Sequence, residues 1–149
     1  MIKFRIVFPG VLLAASLALT AYGATPIADS PAHLSARLSG SSEVPPVPGE
    51  AQGTVEATLD RQTLLLSWTV THSGLSGLPT AGHFHGPAMP GANAGVAVPL
   101  VGSLTSPIKG SATLTAAQVA ELTAGRWYLN LHTAANPNGE IRGQVNALP

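Results

Sequence analysis

The chain of 149 residues contains no cysteine and few charged or aromatic residues. Without cysteine it has neither disulfide bonds nor the attachment site of a lipoprotein. Charged residues make up 9% of the sequence and aromatic residues 5%, and the formal net charge is zero. This balance provides no basic surface for nucleic acid or for an anionic membrane. Long helical patterns and internal repeats are also absent.

The N-terminal residues are typical of a secretory signal peptide. Lys3 and Arg5 precede an apolar run over residues 6–19, and small residues follow it. The run is shorter than the roughly 20 apolar residues that span a bilayer. We therefore expect a signal peptide over residues 1–23, cleaved after Gly23 or Ala24, and secretion to the periplasm. Cleavage would leave five basic residues against seven acidic ones and no membrane association.

The remainder of the chain reads as one β-rich domain. Residues 24–32 are rich in Pro, Ser and Asp and are expected to form a tether before a domain over residues 33–149. Short alternating segments separated by Gly and Pro indicate an all-β sandwich or barrel. The expected strands occupy residues 34–38, 54–60, 64–72, a segment around 83–85, 96–101, 108–114, 127–132 and 140–146.

One short helix interrupts this pattern of strands. Thr115 and Gln118 have the spacing of a capping box, in which each side chain bonds to the backbone of the other residue. Gly125 stands where a left-handed residue commonly ends a helix. Residues 43–49 contain three prolines, which lack the backbone donor of a central strand, so we expect an extended surface loop there.

Three histidines are the residues best suited to carry chemistry. Side chains two residues apart on a strand share a face, so His83 and His85 should point the same way, and His132 should join them from another strand. Neutral imidazole binds copper, zinc, iron or nickel. The sequence therefore predicts a metal site, with copper(II) favoured and zinc as the alternative. His72 and Met89 are possible further ligands, and hydrogen-bonded polar residues at strand ends are the competing interpretation.

A second group of polar residues lies near the C-terminus. Glu140, Arg142 and Gln144 alternate with apolar or small residues and should line one face of a strand. Arg142 could form a bidentate bond with Glu140 or Glu43, or it could present positive charge near a metal. No Ser-His-Asp order, phosphate loop or pair of catalytic carboxylates supports a hydrolase.

Three segments resemble the chordin-type (CHRD) domain. They are Glu-Val-Pro-Pro-Val at residues 43–47, Ala-Gly-His-Phe-His-Gly-Pro-Ala at 81–88, and residues 128–144, which end in Asn-Pro-Asn-Gly-Glu-Ile-Arg-Gly-Gln. The resemblance covers residues 34–145. Such domains occur in chordin, an extracellular antagonist of growth factors, and in small secreted bacterial proteins. It therefore implies a fold and an extracellular location more firmly than an activity.

A fainter similarity is to Cu/Zn superoxide dismutase. In that family an HxH strand and a later histidine hold copper, with an arginine near the C-terminus over the metal. His83, His85, His132 and Arg142 follow that order, but a bridging histidine, a zinc-binding loop and a cysteine pair are missing. The similarity implies a Greek-key, immunoglobulin-like β-sandwich of about seven to eight strands.

Three functions remain open from the sequence. The first is a secreted protein that binds a transition metal for sequestration, delivery or tolerance. The second is a metal-free extracellular module that binds a protein partner. The third is a superoxide-removing enzyme whose turnover depends on Arg142. An exposed edge strand would allow dimerisation, although nothing in the residues distinguishes a dimer from a monomer.

Overall fold

A computed structural model describes residues 30–149 of the chain. The predicted signal peptide over residues 1–23 and most of the predicted tether lie outside the described residues. The elements are β1 Ala32–Ser39, a 3-10 turn Gly40–Ser42, β2 Gln52–Asp60, β3 Leu65–Ser73, β4 Pro79–His85, β5 Val96–Pro99, β6 Ile108–Thr113, α1 Ala116–Thr123, β7 Trp127–Thr133 and β8 Ile141–Ala147.

The eight strands confirm the predicted all-β fold with one short helix. They form an antiparallel sheet in the order β5-β4-β7-β8-β1-β2-β3-β6. The sheet folds over on itself, because Trp68 on β3 and Phe84 on β4, from opposite halves, meet edge-to-face with ring centroids 5.2 Å apart. The result is a sandwich with β5-β4-β7-β8 in one layer and β1-β2-β3-β6 in the other. Crossing connections that place β6 beside β3 and β7 beside β4 make it a Greek key.

Alternation along the strands decides which side chains fill the space between the layers. On β2 the apolar residues Val55, Ala57 and Leu59 are buried, and the polar residues between them point outward. Phe84 on β4 and Trp127 on β7 are fully buried in the same core. Their neighbours in sequence must therefore face the opposite side of the layer.

That opposite side is polar and is covered by loops. His83 on β4 pairs with Asn130 on β7, which in turn pairs with Arg142 on β8. The loop over residues 86–95 lies across this row, because Arg142 Nη1 donates to Asn93 Oδ1 at 2.9 Å and Gln144 Nε2 donates to the carbonyl oxygen of Ala88 at 2.9 Å. The loop thus covers the polar side chains on the outer face of this layer.

The predicted helix and its cap are present. The Thr115 side chain accepts from the backbone N–H of Gln118 at 3.2 Å, and Gln118 Oε1 accepts from the backbone N–H of Thr115 at 2.9 Å. Gly125 has the positive φ of +68° expected after the helix. No helix within residues 30–149 is long and apolar enough to span a bilayer.

Several element boundaries differ from the sequence prediction. The first strand starts at Ala32, inside the predicted tether, because Ala32 pairs with Leu59 of β2. Leu64, predicted as the first residue of the third strand, has a φ of +57° and belongs to the preceding turn. The Asp60 side chain closes that turn by accepting from the backbone N–H groups of Gln62 and Thr63 at 2.8 and 3.0 Å.

Candidate metal centre

The two neighbouring strands β4 and β7 bring the three predicted histidines together. His83 and His85 lie on the outer face of β4, and His132 lies on the same face of β7, opposite Ala81. One ring nitrogen from each histidine lies within 4.8 Å of one from each of the others. His83 Nδ1 and His132 Nε2 are 3.1 Å apart. The pairing of β4 with β7 therefore brings the three histidine side chains together, as the sequence predicts.

Backbone carbonyl groups orient two of the rings. His85 Nδ1 donates to the carbonyl oxygen of Ala94, and His132 Nδ1 donates to that of Pro137, each at 3.0 Å. A carbonyl oxygen only accepts, so the protons of the neutral rings lie on Nδ1 and the lone pairs on Nε2. Histidine ligands of metal ions are commonly oriented in this way by the ring nitrogen that does not bind the metal.

The surroundings of His83 and His132 favour the neutral form of both rings. Burial lowers the pKa of His83, and the nearby His132 and His85 lower it further. Burial also lowers the pKa of His132, with a further decrease from His85, against the opposing effect of its bond to Pro137. Because a metal ion binds the unprotonated nitrogen, these shifts leave the rings ready for a metal at neutral pH.

Asn130 lies in the middle of the cluster, between the histidines and a buried carboxylate. Its Oδ1 atom is 3.0 Å from His132 Nε2 and 3.1 Å from His85 Nε2. Its amide nitrogen also lies on the side of Glu43, which is 5% exposed and whose Oε1 atom has no hydrogen-bond partner among the described residues. No role was predicted for Asn130 from the sequence. The available signal was its position two residues before His132 on the same strand, which puts both side chains on one face.

Glu43 lies next to Gly139, in the turn that precedes β8, and close to Asn130. Burial raises the pKa of Glu43, and the charge of Arg142, the backbone N–H of Val44 and the Asn130 side chain partly offset this effect. Gly139, with a φ of +124°, leaves room for the carboxylate. A Cβ atom at this position would overlap Glu43 Oε1 and would lie 2.8 Å from Asn130 Nδ2.

Arg142 supports the loop that covers the cluster. Its guanidinium group lies 3.3 Å from the centroid of the Tyr128 ring, which stacks on His85 with centroids 4.8 Å apart. It donates to Asn93 and to the carbonyl oxygen of Ala92. Of the two carboxylates that the sequence left open as partners, Glu140 accepts from Ser76 and Thr133 instead. Glu43 is the carboxylate whose pKa the charge of Arg142 lowers.

Glu140 instead joins the loop after β3 to strand β7 by hydrogen bonds. It accepts from the backbone N–H and the hydroxyl of Ser76 at 2.7 and 2.6 Å and from the hydroxyl of Thr133 at 2.5 Å. Burial opposes the ionised form, but these hydrogen bonds outweigh it and lower the pKa of Glu140. The interaction fastens the loop after β3 to β7.

The other candidate residues lie outside the cluster. His72 on β3, in the opposite layer, forms a 3.0 Å hydrogen bond between Nε2 and the carbonyl oxygen of Leu104, which fits a structural role. Met89 is 62% exposed in the loop after β4. His33 lies on β1 with an exposed side chain. None of them is among the residues that bring ligand atoms together.

Comparison with known families agrees with the resemblance seen in the sequence. The family model of the CHRD domain matches residues 34–145, so the chain belongs to the CHRD-domain family. CHRD domains are typically extracellular, which fits the expected secretion. No curated protein and no solved structure is significantly similar to the chain. The fainter similarity to Cu/Zn superoxide dismutase therefore stays a prediction.

Proposed function

We propose that this CHRD-domain protein binds one transition-metal ion through His83, His85 and His132 outside the cytoplasm. Copper(II) is the favoured ion and zinc the alternative. The role would be sequestration, delivery or tolerance of the metal in the periplasm or the extracellular space. Membership of a typically extracellular family supports this location.

The observation that carries the proposal is the convergence of three imidazoles, two of which are oriented by backbone carbonyl groups. The ring nitrogens lie within 4.8 Å of one another, and carbonyl groups hold the Nδ1 protons of His85 and His132 away from the centre. Copper(II) is favoured because the affinity of nitrogen sites for divalent metals peaks at copper. Burying polar side chains costs free energy of desolvation, and apolar side chains on this face of the sheet would avoid that cost.

The exposure of the cluster supports a role in holding and transferring the ion. His85 is buried, whereas His83 and His132 are partly exposed. An ion could therefore enter and leave from the solvent side without unfolding of the sandwich. This arrangement suits a protein that loads and releases a metal.

The proposal is tested by calorimetric titration of the purified protein with copper(II) and zinc(II). We expect one equivalent to bind to the wild type and none to a folded His83→Ala/His85→Ala/His132→Ala variant. His33→Ala is the matched control, because it removes an exposed histidine from the opposite layer, and it should bind as the wild type does. Absence of binding by the wild type, or equal binding by the triple variant, would overturn the proposal.

The metal-free interaction module is the second candidate, and the family match is the observation that favours it. In that case the histidines only stabilise the loops. His83→Ala would then lower the free energy of unfolding without changing any metal stoichiometry, so the same titration separates the two functions.

Dismutation is not included in the proposal. An arginine that attracts superoxide must be open to solvent, whereas Arg142 is 2% exposed and its guanidinium donates to Asn93 and Ala92. Its position fits the support of a loop better than the capture of an anion.

A further inference from the structure

The side-chain oxygen of Asn130 has the position of a fourth ligand. Asn130 Oδ1 is 3.0 Å from His132 Nε2 and 3.1 Å from His85 Nε2, and His132 Nε2 is 3.1 Å from His83 Nδ1. In a tetrahedral site with metal–ligand bonds of about 2.0 Å, neighbouring ligand atoms are about 3.3 Å apart. These three separations are close to the edges of such a tetrahedron, and the histidine nitrogens that lie up to 4.8 Å apart would move closer together around the ion.

The Asn130 oxygen meets two ring nitrogens that have no proton to donate to it. His85 and His132 use their Nδ1 protons on the carbonyl groups of Ala94 and Pro137, so each presents a lone pair on Nε2. The Asn130 oxygen also presents only lone pairs. Asn130 Oδ1 therefore lies 3.0 and 3.1 Å from two other acceptors, which repel it unless a positive charge lies between them. His83 Nδ1 can donate only to His132 Nε2, so it does not relieve the two contacts of Asn130. A metal cation would turn the repulsion into coordination.

Glu43 determines which end of the Asn130 amide faces the histidines. The Glu43 carboxylate is buried, and Glu43 Oε1 and Asn130 Nδ2 both lie against Gly139, so the amide nitrogen is on the side of the carboxylate. A carboxylate accepts, so the amide nitrogen must point towards Glu43 and the amide oxygen towards the histidines. Turning the amide around would place two acceptor oxygens in contact in a buried site, which is costly.

We propose that Asn130 Oδ1 is the fourth ligand of a closed, four-coordinate site formed with His83, His85 and His132. The inference rests on the proposed function, because it requires that the histidines bind a metal. A closed site leaves no position for water or substrate, as in sites that hold a metal rather than use it in catalysis. The amide oxygen is a hard ligand and favours a divalent ion over copper(I).

The first test is nuclear magnetic resonance on the isotope-labelled wild-type protein with zinc(II), which is diamagnetic. One equivalent of zinc should move the side-chain amide resonances of Asn130. Asn146, whose exposed side chain donates to the carbonyl oxygen of Gln144 at 3.2 Å, is the internal control and should not move. This experiment does not depend on whether a variant folds.

The second test compares zinc affinity. Asn130→Ala should weaken zinc binding by more than the about 10- to 100-fold found when a residue that only supports a metal ligand is removed. Asn146→Ala should bind as the wild type does. Binding of one equivalent with unmoved Asn130 resonances, or with an unchanged affinity of a folded Asn130→Ala variant, overturns the fourth ligand and leaves the histidine site intact. Absence of zinc and copper binding by the wild type overturns both proposals.

Discussion

Replacement of Gly139 by alanine should disturb the candidate site from beneath. Gly139 has a φ of +124°, a conformation that residues with a Cβ rarely adopt. The added methyl group would overlap Glu43 Oε1 and would come within 2.8 Å of Asn130 Nδ2. Glu43 must therefore move away from Asn130, and the Asn130 amide loses the partner that orients it.

The expected cost has two parts. The backbone conformation costs an alanine about 1–3 kcal/mol. Displacement of the buried Glu43 carboxylate from its polar neighbours adds about 1.5–3 kcal/mol. Gly139→Ala should therefore lower the free energy of unfolding by about 2.5–6 kcal/mol, a large share of the about 5–15 kcal/mol that stabilises a typical domain.

Gly49→Ala is the matched control for the backbone contribution. Gly49 has a φ of +147°, but a Cβ there meets no atom within 4 Å. Urea denaturation of both variants should show a smaller loss for Gly49→Ala, of about 1–3 kcal/mol. Metal affinity should fall for Gly139→Ala and stay unchanged for Gly49→Ala. Equal losses of stability together with equal metal affinities would refute the role given to Glu43 and Asn130.

Three further predictions concern stability. The pKa values of His83 and His132 lie below the ordinary 6.5, so the folded metal-free protein binds fewer protons than the unfolded chain. Its free energy of unfolding should therefore fall as the pH is lowered from about 7 to about 5. Urea denaturation at several pH values checks this, and a flat profile would contradict it. Phe84→Ala should cost about 3–5 kcal/mol in urea denaturation, because the fully buried ring packs against the core behind both β4 histidines, and a loss below 1 kcal/mol would argue against that packing. Thr115→Ala should cost about 1 kcal/mol, measured in the same way, because it removes the acceptor for the Gln118 N–H, and no loss would show that the cap is dispensable.

Most of the fold could be predicted because the strands carry their own pattern. Val55, Ala57 and Leu59 alternate with polar residues, and the alternation corresponds directly to inside and outside in the sandwich. Strand ends were less predictable, because they depend on partners elsewhere in the chain. Ala32 joins β1 through Leu59, and Leu64 leaves β3 because the Asp60 side chain closes the turn before it.

The site could be predicted only in part. The two-residue spacing of His83 and His85 fixes their common face, but pairing of β4 with β7 is a long-range event that no local pattern shows. The partners of Arg142 could not be predicted, because they come from the loop over residues 86–95, whose many Gly and Pro residues carry no periodic signal. The position of Glu43 beneath Asn130 depends in the same way on how a proline-rich loop folds over the sheet.

The most direct measurement is the X-ray absorption spectrum of the purified protein loaded with one equivalent of copper(II), repeated with zinc(II). The account predicts scattering from three imidazole rings and one oxygen at about 2.0 Å. The same spectrum for the His83→Ala/His85→Ala/His132→Ala variant should lose the imidazole pattern. A wild-type spectrum without the outer-shell scattering of imidazole, showing only oxygen ligands, would contradict the account.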